Sequence, residues 1–327
     1  MMKTLQHTFP EANISGICND RRGNYGVPKY IQSNPDALYI VQDMGSNEMD
    51  YIDSVFGKDT IVIDHHLIED ASVLGRFQKE SRLLNPQSFK DERGNSAGYC
   101  ATGLAYRIYV SFVENEALQP TEKLHNSLTA MASIGTLTDV MPVLDPLSDN
   151  RRIIKKGIEA INHATPDNMD NIILYAMQKN GFTVGEDVTA KNVAFVMGAF
   201  INSVSRMSEV VGQNGAQRMF DALTGQETTS KPFLAIDTMI QWNADRKKLL
   251  KEFQQDEHYQ AFIRRERFGN SDNLAIYVTN QEIPASFCGL IAGRLEDAVD
   301  KAVIVLAKKG DTYTGSGRNI ATNETSL

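Results

Sequence analysis

The sequence predicts an α/β protein: a parallel-sheet domain with a helical insert, a long connecting helix, and a smaller C-terminal α/β domain. Three observations carry this. Two short apolar, β-branched runs, Ala37 to Val41 and Thr60 to Ile63, each lead to an aspartate and flank a helical stretch, the order expected of parallel strands joined by a crossover. The middle of the chain repeats apolar residues at helical spacing, and strand-like runs return after about Arg267. A length of 327 residues favours two domains over one.

The elements follow in order. Ile14 to Cys18 is a third strand candidate ahead of the other two. Ile31 to Asn34 reads as a loop, and Ser46 to Phe56 as a helix capped by Ser46 or Asn47. Gly98 to Val113, Thr121 to Leu137 and Arg151 to Ile161 read as helices, the last following a proline-containing break. Lys231 to Phe262 reads as one charge-laced helix with a partial stripe of Ile236, Met239, Ile240, Leu249 and Phe253, a connector between domains. The second domain then offers a strand at Leu274 to Val278, a helix at Gly289 to Val299, a strand at Ala302 to Leu306, and a further strand candidate with a Gly-Ser-Gly kink from Thr312 to Asn319. No repeat at a fixed period is visible, which argues against a solenoid.

Composition narrows the function classes. With 42% hydrophobic and 23% charged residues, 10 prolines and 23 glycines, the chain is ordinary for a soluble globular protein. It holds no apolar run of membrane-spanning length and no N-terminus of the signal-peptide type, so the expected location is the cytoplasm and no membrane partner is expected. Cys18, Cys100 and Cys288 lie far apart and form no C-x-x-C pair, so they read as buried small hydrophobes rather than a disulfide framework or a thiolate zinc site. A formal charge of -8 excludes a whole-surface nucleic-acid binder but not a local basic groove. It also suits an enzyme whose carboxylates hold cations.

Ligands of open parallel sheets gather at the carboxyl ends of the strands, where Asp43 and Asp64 fall and where both acids face one crevice. His65 and His66 follow Asp64 directly. Imidazole beside carboxylate suits Mn²⁺, Zn²⁺ or Fe. A third acid, Asp139, lies in the run from Ile134 to Pro142, just before a proline break. Taken singly, the histidine pair also reads as a polar strand terminus, Asp64 or Asp139 as a helix cap, and Asp43 as a turn residue. Together, three acids and two histidines at three element ends make a site with a chemical rationale.

These motifs resemble the DHH phosphoesterases, and within them the RecJ-like single-stranded-DNA-specific exonucleases. Asn19 to Gly26 resembles the family's Asn-Arg…Gly-Tyr-Gly turn, Val41 to Ser46 its second acidic motif, and Val62 to His66 its third. Leu84-Asn85-Pro86, Ser96-Ala97-Gly98 and Gly103 to Tyr106 resemble the segment that comes next, and Ile134 to Pro142 with Asn150-Arg151 the fourth acidic motif and its trailer. Ile201 to Arg206 is similar to the Asn-Ala-x-Gly-Arg segment, with Ser205 where glycine is usual. Gly289 to Leu295 and Gly315 to Asn319 resemble the DHH-associated domain.

The resemblance implies a DHH domain over 1–230, a connecting helix over 231–266 and a DHH-associated domain over 267–327. It implies two divalent cations, usually Mn²⁺ with Mg²⁺ as the alternative. Asp43 would bridge them, His65 and Asp139 would ligate one, Asp64 would support the site from behind, and His66 would contact the scissile phosphate. Arg206, Ser316, Gly317, Arg318 and Asn319 would hold the backbone of single-stranded DNA or an oligonucleotide, with Phe200 and Tyr313 as candidates for base stacking. Repair or replication proteins are the implied partners, and an exonuclease of DNA repair or recombination the implied activity. The alternatives are an oligonucleotide or nucleotide phosphoesterase and a catalytically inactive nucleic-acid-binding homologue. The family's Asp-x-Asp-Gly motif is not in this sequence, whose first aspartate is Asp20. The chain also stops soon after Asn319, so the resemblance implies truncation at both ends.

Overall fold

The structure, a computed structural model, describes residues 1–19, 26–69, 80–183, 187–226, 231–268, 274–279 and 283–319. Its chain forms two compact units, Met1–Asn202 with Ala216–Ile240, and Ser203–Gly215 with Gln241–Leu327.

In the first unit, α1 (Met2–Thr8) precedes a parallel sheet of order β1-β2-β3, formed by β1 (Tyr39–Gln42), β2 (Thr60–Ile63) and the two-residue β3 (Leu83–Leu84). The crossover from β1 to β2 is α2 (Met49–Phe56). Its Met49, Ile52 and Phe56 pack with Val62 and Leu83 in one buried cluster, which fixes the helix on the sheet. Because Gln42 lies opposite Ile63, residues 43 and 64 leave the sheet side by side. Behind β2, the buried Arg82 guanidinium donates to Thr60 O (3.0 Å) and Gly57 O (3.1 Å) and pairs with Asp53 at 2.6 Å.

The helical insert comprises α3 (Ala101–Glu114), α4 (Glu122–Thr138), α5 (Asn150–Asn162) and α6 (Asn171–Lys179). Thr121 caps α4 by accepting from Leu124 N–H at 3.2 Å. Helices α4 and α5 touch backbone to backbone at Gly157, where a Cβ would stand 2.1 Å from that of Ser133. A π-helical turn, Val193–Gly198, leads into α7 (Ala199–Val211). Its Gly198 sits against Thr138, the last residue of α4. Helix α8 (Gly215–Thr224) and the first part of α9 (Pro232–Gln255) complete the unit.

The second unit is built from the rest of α9, α10 (Glu257–Phe268), β4 (Leu274–Val278), α11 (Cys288–Val299), β5 (Ala302–Lys309) and β6 (Thr312–Arg318). Strand β4 pairs parallel with β5, and β5 pairs antiparallel with β6, so the Gly-Ser-Gly segment is indeed a third strand. Tyr277 of β4 is fully buried among the rings of Phe253, Tyr259 and Phe262.

Four expectations need correction. Ile14 to Cys18 joins no ladder. Its backbone is bound by side chains instead, with Gly16 N and Cys18 N donating to Gln226 Oε1 (3.2 Å) and Gln217 Oε1 (2.6 Å), and with Gln217 Nε2 donating back to Gly16 O (3.0 Å). Helix α2 starts at Met49, and neither Ser46 nor Asn47 caps it, since both are engaged elsewhere. The helix expected over Lys231 to Phe262 breaks at Asp256, whose carboxylate accepts from His258 N–H (3.0 Å) and Tyr259 N–H (3.2 Å) and so starts α10 as a cap. Cys100 and Cys288 are buried, but Cys18 is only partly so. Residues 20–25 of the Asn19 to Gly26 turn lie outside the described residues. The turn's ends meet through Asn19 Nδ2, which donates to Gly26 O at 2.7 Å.

Candidate metal centre

Asp64 anchors the site. It is buried, with 1% of its surface exposed, and its two oxygens accept from Ser46 N–H (3.0 Å), His65 N–H (2.8 Å), His66 N–H (3.3 Å) and His66 Nδ1 (2.7 Å). Burial by itself would push this carboxyl up; the hydrogen bonds from His66, Ser46 and His65 outweigh that and hold it below the ordinary carboxylate range. Ser46 is held in turn by Asn85, whose Nδ2 donates to Ser46 Oγ (2.9 Å) and to His66 O (3.0 Å). Asp64 therefore turns inward and does not face the crevice that Asp43 faces. Its bond to Nδ1 of the half-exposed His66 leaves Nε2 as the free nitrogen of that ring.

The exposed acids converge on His65. Its Nε2 lies 3.2 Å from Asp43 Oδ1 and 3.5 Å from Asp139 Oδ2. The hydrogen bond to Asp43 raises the imidazole above its usual value, against the opposing effect of burial and with help from Asp139. Asp139 is itself raised, by burial first and by the neighbouring Asp43 charge, with His65 acting the other way. Two carboxylates on one imidazole form a pocket of negative charge that favours a shared cation. Ligand atoms of Asp43, His65 and His66 also fall within 4.8 Å of one another.

The backbone delivering these groups is unusual at two points. Asp43 has φ of 66° and Val140, directly after Asp139, has φ of 54°. Aspartate enters this left-handed region with modest cost, whereas a β-branched valine there is a real outlier. Pro142 is fixed by Asn150 Nδ2, which donates to Pro142 O (3.0 Å) and to Gly98 O (2.6 Å).

The structure thus brings together Asp43, Asp64, His65, His66 and Asp139. The remaining candidates, Phe200 apart, belong to the second unit. Ser316 and Arg318 lie opposite Val305 and Val303 on β5, and Arg318 folds along its own strand, donating to Gly317 O (2.7 Å) and Ser316 Oγ (3.2 Å). The absence of a side chain at Gly289 makes room for it, since a Cβ there would be 3.1 Å from the guanidinium. Asn319 follows β6 in the left-handed region, with φ of 54°. Arg206 lies on α7 and its carbonyl accepts from Ser286 Oγ at 3.0 Å. Of the two stacking candidates Phe200 is fully buried and is core, while Tyr313 is 58% exposed. Ser46 and Asn85 are the support that sequence reasoning missed. Asn85 stood in a quoted motif, but nothing local showed that it reaches 39 residues back to Ser46.

The donors fit a divalent cation: carboxylate oxygens with imidazole nitrogen suit Mn²⁺ or a similar ion. Among the described residues Asp43, His65 and Asp139 could serve as ligands of one cation, and a second would need more.

A parallel sheet, a helical insert and a separate three-stranded unit make an α/β fold. Comparison with solved structures makes it RecJ-like. The chain is similar to exonuclease RecJ bound to manganese, with a TM-score of 0.60 and 20% identity, covering 83% of this chain and 60% of that one. It is also similar to RecJ with Mn²⁺ from Thermus thermophilus, at 0.60, 19% identity, 83% of this chain and 36% of that one. The Mg²⁺ complex of RecJ from the same organism gives 0.53 and 20% identity, covering 83% and 34%. The chain therefore spans only part of the length of each of these proteins. No family model and no curated protein matches the sequence.

Proposed function

We propose that the chain is a divalent-metal phosphodiester hydrolase of the RecJ kind, acting on single-stranded DNA in repair or recombination. The observation that carries this is the convergence of Asp43 and Asp139 on His65 Nε2 at the ends of β1 and α4, beside the Asp64–His66 pair. The RecJ structures of like fold carry manganese or magnesium, and Mn²⁺, with Mg²⁺ as alternative, is the cation assigned here.

Asp43, His65 and Asp139 would hold the ion. When bound, it would acidify a water ligand and offset phosphate charge. Asp64 fixes the His66 ring through Nδ1, and the ring is assigned to contact the scissile phosphate. Ser316 and Arg318, with the backbone N–H groups of Gly317 and Asn319, are assigned to the phosphate backbone, and Arg206 to a further backbone contact. Donors enough for a single cation also favour a second reading, a homologue that binds single strands without cutting them.

The test is nucleotide release from end-labelled single strands with Mn²⁺, together with calorimetric Mn²⁺ titration. Asp43→Asn and His65→Asn should each weaken Mn²⁺ binding by about 10- to 100-fold. Unchanged Mn²⁺ affinity in both variants would sink the metal assignment. Intact metal and DNA binding without nucleotide release would select the second reading.

A further inference from the structure

The end of α4 that carries Asp139 is built against the usual chemistry of helix ends. Asp139 N–H donates to Gly135 O (3.0 Å), Val140 N–H to Leu137 O (3.3 Å) and Met141 N–H to Thr136 O (3.2 Å). The last two bonds close the helix as a Schellman motif, in which the place of Val140 is ordinarily taken by glycine because the backbone there is left-handed. Val140 has that backbone, with φ of 54°, and its side chain is 85% exposed, so little packing offsets the strain. Something outside the helix must hold the turn.

The hold is a clamp on one residue, Gly98, just ahead of α3. Asp145 Oδ2 accepts from Gly98 N–H, and Asn150 Nδ2 donates to Gly98 O, both at 2.6 Å. The same Nδ2 donates to Pro142 O at 3.0 Å. Pro142 lies against the Gly98 α-carbon, where a Cβ would stand 3.0 Å from the proline ring. Beside it, Tyr99 Oη donates to Asp149 Oδ1 (2.6 Å) and accepts from Asp149 N–H (2.9 Å). Asn150 is fully buried, yet its Oδ1 has no hydrogen-bond partner among the described residues. An unpaired buried acceptor is a cost to folding that an apolar side chain of the same shape does not carry. What the amide supplies in return is the two bonds of Nδ2, which tie the loop after Val140 to Gly98.

We propose that Asn150 and Asp145 are positioning residues for Asp139, a role that rests on the reading of Asp139 as a metal ligand. By holding residues 142–150 on Gly98 they keep Val140 left-handed. Release of the clamp lets Val140 relax to negative φ, which separates Met141 N–H from Thr136 O and frays the last turn of α4. Asp139, the C-cap of that helix, then loses the direction that brings its Oδ2 to 3.5 Å from His65 Nε2. Both residues act through the backbone from Asp139 to Pro142, not as ligands.

The experiment combines calorimetric Mn²⁺ titration of the full chain, amide hydrogen exchange without metal, and urea denaturation. Asn150→Leu removes the donor and the orphaned acceptor together, and should weaken Mn²⁺ binding by about tenfold or more. Its urea midpoint should stay near that of the parent. In the metal-free variant, exchange at the Met141 amide should speed up. Asp145→Ala, at a half-buried loop position, should change affinity and exchange in the same way, and carries the test if Asn150→Leu does not fold. Adding Val140→Gly to either variant supplies the residue that a left-handed turn prefers, and should restore Mn²⁺ affinity. Asp139→Asn is the control. If it leaves Mn²⁺ affinity unchanged, the metal reading fails and the positioning role with it. If it weakens binding while both clamp variants bind Mn²⁺ as the parent does, or leave Met141 exchange unchanged, the positioning role alone is overturned. Weaker binding that only follows a lower urea midpoint, with no recovery on adding Val140→Gly, would also overturn it, by showing the clamp to be purely structural.

Discussion

Asp64 shows how a charged residue can serve a site without reaching it. Its carboxylate accepts three backbone N–H bonds and one from the His66 ring, so removing it strands donors in a buried place. Asp64→Ala should lower stability by about 2–3 kcal/mol in urea denaturation. A loss under about 0.5 kcal/mol would show that water replaces the carboxylate with ease. His125 gives the pH counterpart. Burial, and then the Lys156 charge, hold its imidazole below the ordinary value, and Nδ1 pairs with Tyr109 Oη at 2.8 Å. The unfolded chain therefore takes up the proton first as pH falls. The stability owed to neutral His125 is present above the ordinary imidazole value of about 6.5 and is lost below it. His125→Gln should flatten the fall in urea midpoint between about pH 7 and pH 5. An unchanged slope would assign the fall to other groups.

At the scale of elements, the close contact of α4 and α5 rests on Gly157. A methyl group there meets Ser133 Cβ and, at 2.8 Å, the Thr129 carbonyl, so Gly157→Ala should cost about 1–3 kcal/mol by forcing the helices apart. Thermal unfolding measures this, and an unchanged midpoint would mean that the helices separate freely. The same scale divides what was legible in the sequence from what was not. Thr60 to Ile63 and Leu274 to Val278 emerged with their observed bounds because β-branched apolar runs carry their own signal. So did the placing of Asp43 and Asp64 after parallel strands, which is why five candidate residues could be named before any geometry. The failures share a cause. Ser46 was read as a cap from its neighbours, yet it is claimed by Asp64 and Asn85 from 18 and 39 residues away. Asp256 was absorbed into a long helix because charge-laced helices tolerate aspartate, and only its bonds to the next turn reveal a break. The left-handed backbone of Val140 has no sequence signature at all.

For the whole molecule, the two units contain unequal probes. Trp242, the chain's single tryptophan, belongs to the second unit and is buried there. Its fluorescence reports the local environment at that point of α9, whereas far-ultraviolet circular dichroism averages the helices of both units. Units of this kind unfold as separate cooperative blocks, so the two signals should give different urea midpoints. Coincident transitions would show that the chain melts as one block. None of the described helices is long and apolar enough to cross a membrane. The stretch at 14–18 adds a constraint on natural variation. Gln217 and Gln226 grasp its main-chain atoms, and main-chain atoms are the same whatever the side chains. Ser15 and Ile17 are thus free to drift between related genes. Gly16, with Phe220 pressed where a Cβ would be, and the two glutamines are not, because glutamate in either place would replace an amide donor with a second acceptor.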